Sequence, residues 1–286
     1  SAFTYCELEF ISLQTLKNRF MKQLKLMVLT LTLLMGTMFT SCMDSGESGP
    51  QQWAGVVKVN DRMGYVTFTD AAGTELIPTN TIPVTLNARM AYIYCQVDEG
   101  QDLSTNPKSI KITLLADPTG IDATAITTPK VESSDVTTNA PVGSLSFASG
   151  YSTVAPFQFS ENTIVLPVLY RVKNVTTTED IKNELAKHTF TLVCYTDDIK
   201  SGDTILKLYL RYKVEDEPAA IAERATRTSS FKAYEISQIL REYTLKSGQA
   251  KPAKITIVAQ QNEYNNKLED TSTIEKVYEI EYKTAE

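Results

Sequence analysis

Histidine and tryptophan are almost missing: the 286 residues hold one of each, His188 and Trp53, beside four cysteines. A single imidazole leaves most metal sites and most Ser/His/Asp or Cys/His constellations short of parts. The HExxH, CxxC, Walker and glycine-rich dinucleotide patterns are absent as well. The thiol nearest to His188 in sequence is Cys194, and a strand of that length spans about 20 Å, beyond hydrogen-bond reach. His188 reads instead as a solvated residue at a helix C-terminus. An excess of positive charge is lacking too. The 28 Lys+Arg stand against 34 Asp+Glu, a net charge of −6, so the electrostatic footprint of a nucleic-acid binder is not there. Asp197, Asp198 and Asp203 crowd one turn, but their spacing fits no EF-hand loop and a solvated hairpin tip accounts for them. No catalytic residue, cofactor or metal is assigned, and the expectation is a protein that is not an enzyme.

What is present begins with a targeting segment. In MKQLKLMVLTLTLLMGTMFTSC (21–42), Lys22 and Lys25 precede an apolar run that ends near Phe39. That order is the layout of a secretory signal. A membrane-spanning helix is the alternative, but it needs about 20 predominantly apolar residues, and this run is shorter and broken by threonines and a glycine. Residues 1–20 lie upstream of Met21, a plausible initiator, and read as an extension that is not native. Residues 42–51 are polar and acidic, a flexible tether.

With 42% hydrophobic and 22% charged residues, the remainder reads as folded. Five short alternating runs with turn signals between them occupy 53–59, 64–70, 74–78, 88–97 and 108–117, predicting a small barrel of OB or SH3-like kind over 52–117. Residues 118–143, rich in Thr, Ser, Pro and Asp, read as an irregular linker. Over 144–286 the pattern predicts an immunoglobulin-like β-sandwich with two short helical insertions. Pro167 marks 163–173 as an edge strand or a bulge. The first helix covers 176–188, capped by Thr177, with Ile181 and Leu185 inward. The second runs on from Ile236 and stops at Gly248. A mobile-looking connection covers 217–230. The fold class is therefore mainly β, a five-stranded barrel followed by a sandwich.

Cys95 and Cys194 sit in apolar strand-like runs. They could form a disulfide in an oxidising compartment, but they fall in different domains, and two buried thiols are the preferred reading. On the barrel, Tyr65, Tyr92 and Tyr94 alternate outward; they could stack on a sugar or cover the second domain, with a slight preference for the latter. On 203–214, Lys207, Tyr209, Arg211 and Lys213 alternate with Leu206, Leu208, Leu210 and Tyr212. That face could take an anionic glycan or peptide. The preferred reading pairs it with the glutamate row Glu275, Glu279 and Glu281 on a neighbouring strand. Five basic and seven acidic residues between Trp53 and Asp117 argue against nucleic acid on the barrel.

Two resemblances follow from these residues. Phe39-Thr40-Ser41-Cys42 resembles the lipobox of Bacteroidetes lipoproteins, which implies that Cys42 is diacylated and becomes the first mature residue. Asp44 and Glu47 loosely fit the surface-export signal of such proteins. GYVTFTDAAGTELIPTNTIPVTLNARMAYIYCQVDEG resembles the N-terminal module of NigD-like lipoproteins, with Asp70, Gly73, Leu76, Pro78, Arg89 and Tyr94 at the matching places and a turn one residue longer. HTFTLVCYTDDIKSGDTILKLYLRYK is similar to the core hairpin of their C-terminal module. The resemblance implies an OB-like domain plus a sandwich, a lipid anchor in the outer membrane, surface exposure, and a protein or glycan partner, with an association with bacteriocin immunity. The alternatives are a glycan-binding accessory lipoprotein of a polysaccharide-uptake system and a fimbrial or adhesin subunit cleaved near Arg224 or Arg227.

Overall fold

The computed structural model describes residues 37–38, 51–80, 86–149 and 152–284. The expectations for residues 1–20, for Cys42 and for nearly all of the signal segment and tether lie outside these residues. The two-residue strand β1 (Thr37–Met38) pairs with Ala54 and Gly55.

The barrel strands form where the alternation places them. β2 (Gln52–Arg62), β3 (Tyr65–Thr69), β4 (Glu75–Pro78), β5 (Met90–Val97) and β6 (Ser109–Leu114) run in the order β2-β3-β4-β6-β5, and β5 closes back onto β2. Every junction is antiparallel except β4 with β6, which is parallel. This is the connectivity of an OB barrel, and closure removes free sheet edges. Inside lie Trp53, Val57, Phe68, Ile93, Cys95 and Ile112. The β3–β4 turn is built by Asp70, whose Oδ1 accepts from the amides of Ala72 (2.9 Å) and Thr74 (2.8 Å). Gly73 then takes φ +85°, which side-chain-bearing residues rarely adopt.

β2 is buried on both faces, because residues that point out of the barrel meet the second unit. Val56, Met90 and Ile121 pack with Phe159, Val165 and Ala233. The region 118–143 is less irregular than its composition suggests. β7 (Thr119–Ile121) pairs with β5 of the barrel, and β8 (Ala123–Ala125) pairs with β15 (Thr226–Glu235) of the sandwich. Asp122 alone separates the two strands, so the chain crosses between the units in one residue.

The sandwich has two four-stranded sheets. One is β11 (Phe157–Ser160), β12 (Thr163–Val172), β15 and β8; the other is β13 (His188–Val193), β14 (Ile205–Val214), β16 (Lys254–Gln261) and β17 (Ile274–Glu281). β9 (Phe147–Ser149) and β10 (Ser152–Val154) form a separate hairpin. The inward residues Ile164, Leu166, Val168 and Tyr170 meet Leu206, Leu208, Leu210 and Tyr212 in the core. Pro167 is not on an outer strand, since β12 lies between β11 and β15. It sits past the last β12 residue that β11 reaches and before Leu169, which bonds residues 143 and 144, so its missing N–H breaks no ladder.

Among the described residues the second unit carries three α-helices where two insertions are predicted: α1 (Thr178–Ala186), α2 (Pro218–Ala222) and α3 (Ser237–Ser247). α3 buries Ile239 and Tyr243 and stops at Gly248 in the left-handed conformation, as the spacing requires. Thr177 caps α1 by accepting from the Asp180 amide. The inward face of α1, however, is not the predicted one. Ile181 and Leu185 are 42% and 43% exposed, while Glu184 is buried. The predicted mobile connection is also ordered: α2 and β15 occupy most of 217–230, and Arg224 is 1% exposed.

Candidate functional site

Glu184 turns inward because a guanidinium waits for it. Arg224 Nε donates to Glu184 Oε1 (2.7 Å) and Nη2 donates to Oε2 (3.1 Å), a two-point pair that matches the fork geometry of both groups. Arg224 also donates to Ala220 O and to Asp216 Oδ2, which in turn accepts from Lys173 and Lys187. Glu184 Oε1 accepts further from the Lys173 amide (2.9 Å) and faces His188 Nε2 (3.2 Å). Since a carboxylate only accepts, Nε2 carries the proton and Nδ1 accepts from the Tyr212 hydroxyl (2.7 Å). His188 is therefore not solvated, contrary to the sequence expectation. It is buried, with its pKa lowered by burial, which Glu184 only partly opposes. Burial would raise the Glu184 carboxyl, but hydrogen bonds from Arg224, the Lys173 amide and His188 hold it at about 2. Every member of this network is committed to another member, which makes it a structural lock between α1, α2 and β14. An α1 pattern with Glu184 and His188 four residues apart hints at the pair; nothing local announces Arg224.

The basic face of β14 has different neighbours from those expected. β14 pairs with β13 and with β16, in parallel to the latter, and β17 lies beyond β16. The glutamate row is thus two strands from Lys207, Tyr209, Arg211 and Lys213, roughly 10 Å in sheet spacing, and the cross-strand pairing fails. Lys254 of β16 takes Glu279 and Glu281 instead. Arg211 pairs with Glu132 (3.2 Å) and lies over the rings of Tyr209 (5.0 Å) and Tyr195 (5.7 Å). Lys213 donates to Ser134 O, and Lys207 sits over Tyr209. Residues 132–134 therefore engage Arg211 and Lys213, while Lys207 is exposed. Asp197 and Asp203 hold their own loop, the first through Lys246 and the second through the Lys200 amide.

The barrel tyrosines divide. Tyr65 is 58% exposed at the start of β3, and Tyr94 donates to Gln52 Oε1 (2.5 Å). Tyr92 stacks on Phe231 of the sandwich, ring centroids 5.3 Å apart and 16° from parallel, so it covers the second unit. That stack forms one wall of a cleft of about 830 Å³ between barrel and sandwich. β13 adds Thr189, Phe190 and Thr191 to the lining, and β15 adds Ser229, Ser230 and Lys232 beside Phe231. The cleft opens because β8 pairs only with Ala233–Glu235, leaving the outer edge of β15 uncovered over the residues before them. The Lys232 ammonium lies 5.0 Å from the Phe190 ring centre and is lowered in pKa by burial. Aromatic rings, hydroxyls and one half-buried cation thus converge in a concave space, the usual make-up of a small-ligand or saccharide site. Sequence reading isolates Tyr92 alone among these residues, because the others meet only through the packing of the two units.

Cys95 and Cys194 are both free and buried, as preferred from the sequence, and burial pushes each thiol up to about 12.

Neither a family model nor a curated protein matches the chain. Among solved structures, a putative lipoprotein from Bacteroides fragilis NCTC 9343 is 95% identical, with a TM-score of 0.76; the match covers 82% of this chain and 100% of that one. A protein of unknown function (DUF1344) from Bacteroides vulgatus ATCC 8482 matches at 11% identity and a TM-score of 0.49, over 80% and 89% of the two chains. A protein from Parabacteroides merdae ATCC 43184 matches at 12% and 0.44, over 80% and 96%. At 95% identity over the whole of the first neighbour, the chain belongs to the same family as that Bacteroides fragilis putative lipoprotein.

Proposed function

We propose that the chain is a non-enzymatic, NigD-like lipoprotein that is anchored in the outer membrane through acylated Cys42, stands on the cell surface, and binds a glycan or protein partner. Family membership supports the anchor, since the Bacteroides fragilis neighbour is described as a lipoprotein. Acyl chains contribute about 0.8 kcal/mol per buried CH₂, so several of them hold a soluble unit firmly. The NigD-like reading is supported by the quoted motifs, with Asp70 and Gly73 forming the turn of an OB-connected barrel. A binding role is supported by where the reactive groups stand: His188 is locked between Glu184 and Tyr212, and both described thiols are held protonated.

The observation that carries the binding role is the cleft between barrel and sandwich. Its hydroxyl and aromatic walls favour a saccharide chain, which also suits the accessory role in polysaccharide uptake. For the fimbrial alternative, burial removes Arg224 from proteolytic reach, while Arg227 is exposed and lies within β15. The test combines a glycan array with a pull-down from the native cell surface, and palmitate labelling of wild type and Cys42→Ala. Binding to a defined glycan and loss of label in the variant are expected. Capture of a protein with no glycan bound would redirect the partner, and equal labelling would refute the anchor.

A further inference from the structure

The barrel has a second concavity, at the end opposite the β2–β3 turn and away from the cleft. It measures about 310 Å³, within the roughly 300–1,000 Å³ range of small-molecule sites. Its walls are Trp53, Leu76, Val97, Leu103, Ile110 and Ile112. Trp53 and Ile112 are buried at 5% and 1%, so the depth of the space is apolar. Polar groups stand at the mouth: Gln51, Asn106 and Lys108, the last two exposed on the β5–β6 loop. Asp70 also lines the space as a buried acidic group, its Oδ1 held by the Ala72 and Thr74 amides of the turn; Lys108 is the cation at the mouth, with no ion pair among the described residues. The short 3₁₀ turn Leu103–Thr105 places Leu103, half-buried, over the opening.

An apolar well with a single cation at its rim has the polarity of a single-chain anionic amphiphile. From these features we infer that the barrel end binds the aliphatic tail of a fatty-acid-like molecule, with its carboxylate at Lys108 and Asn106. The tail gains by leaving water, and the head stays at the surface, where desolvation is small. On the proposed anchor, Gln51 lies nine residues after Cys42, which keeps the mouth within about 30 Å of the bilayer where such molecules partition. The pocket itself does not depend on that anchor.

Trp53 is the one tryptophan of the chain, so its emission reports this site alone. The experiment titrates sodium decanoate, below its micelle concentration, into the Cys42→Ala chain, which has no acyl groups of its own. A saturable change in Trp53 emission is expected, weakened at least tenfold in Leu103→Arg and several-fold in Lys108→Glu. Decyltrimethylammonium should show the reverse preference for Lys108→Glu. Thermal unfolding of each variant checks that the barrel persists; Lys108→Glu, at an exposed loop position, keeps the test open should Leu103→Arg unfold. An unchanged emission, or the same response in wild type and Lys108→Glu for both head groups, would overturn the inference. Neither result depends on Cys42 acylation or on a glycan in the cleft, so the two readings fail separately.

Discussion

Glu184 and Arg224, 40 residues apart in sequence, meet as a two-point ion pair with both side chains almost wholly buried, at 5% and 0% exposure. The pair fastens α1 and the end of α2 to the sandwich. Buried pairs stabilise little over a well-packed apolar substitute, but breaking one leaves a charge without compensation.

Arg224→Met should therefore destabilise the chain by about 3–5 kcal/mol, while Arg224→Met combined with Glu184→Leu should recover part of that loss. Urea unfolding of the two variants and wild type measures both. A loss below about 1 kcal/mol in the single variant would show that the pair is not a lock.

The same network sets an acid limit. The Glu184 carboxyl is held at about 2 in the folded chain against 4.5 ordinarily, so its contribution is complete above about 4.5 and is lost as pH falls towards 2. That contribution is on the order of 3 kcal/mol. His188 is lowered below 6.5 by burial, so the folded chain binds fewer protons there and stability begins to decline once pH falls below that value. Melting temperature should be level near neutrality, decline slightly below pH 6.5, and fall steeply below pH 4.5. Glu184→Gln should flatten the steep part. A variant with an unchanged profile would assign the acid limit to other groups.

Much of this architecture is legible in the sequence, and the exceptions have physical reasons. Barrel strands, the Thr177 cap and the Gly248 stop depend on alternation and turn chemistry within a few residues, so they can be read locally. β7 and β8 are three-residue strands held by partners on different units, and nothing in Thr-Gly-Ile or Ala-Thr-Ala requires a strand. α1 misleads because its apolar pair, Ile181 and Leu185, is sacrificed to solvent so that Glu184 can reach Arg224. The basic row of β14 is misassigned because sequence order does not reveal that β16 inserts in parallel between β14 and β17. The cleft is invisible for the same reason: Tyr92 and Phe231 lie 139 positions apart (231 − 92).

A second buried cation offers a sharper test of side-chain shape. Arg171, 3% exposed, donates to the carbonyls of Asn262 and Asn265, each at 3.0 Å, and to that of Glu263. A planar fork satisfies three carbonyls of one loop at once, which an ammonium on a flexible stem cannot reproduce. Arg171→Lys should cost about 1–3 kcal/mol despite keeping the charge. It should also raise amide exchange across 262–266 before it affects β12. Wild-type stability and exchange in that variant would mean that charge alone holds the loop.

The most direct measurement is calorimetric titration of a surface polysaccharide, chosen by the glycan array, into wild type, Ser229→Arg and Lys232→Glu. Ser229 is exposed on the wall of the cleft and Lys232 is its half-buried cation. A glycan held in the cleft should bind wild type and lose at least tenfold in affinity in both variants, with unfolding unchanged in Ser229→Arg. Equal binding by all three proteins, or no polysaccharide bound by wild type, would contradict a cleft that serves as the glycan site.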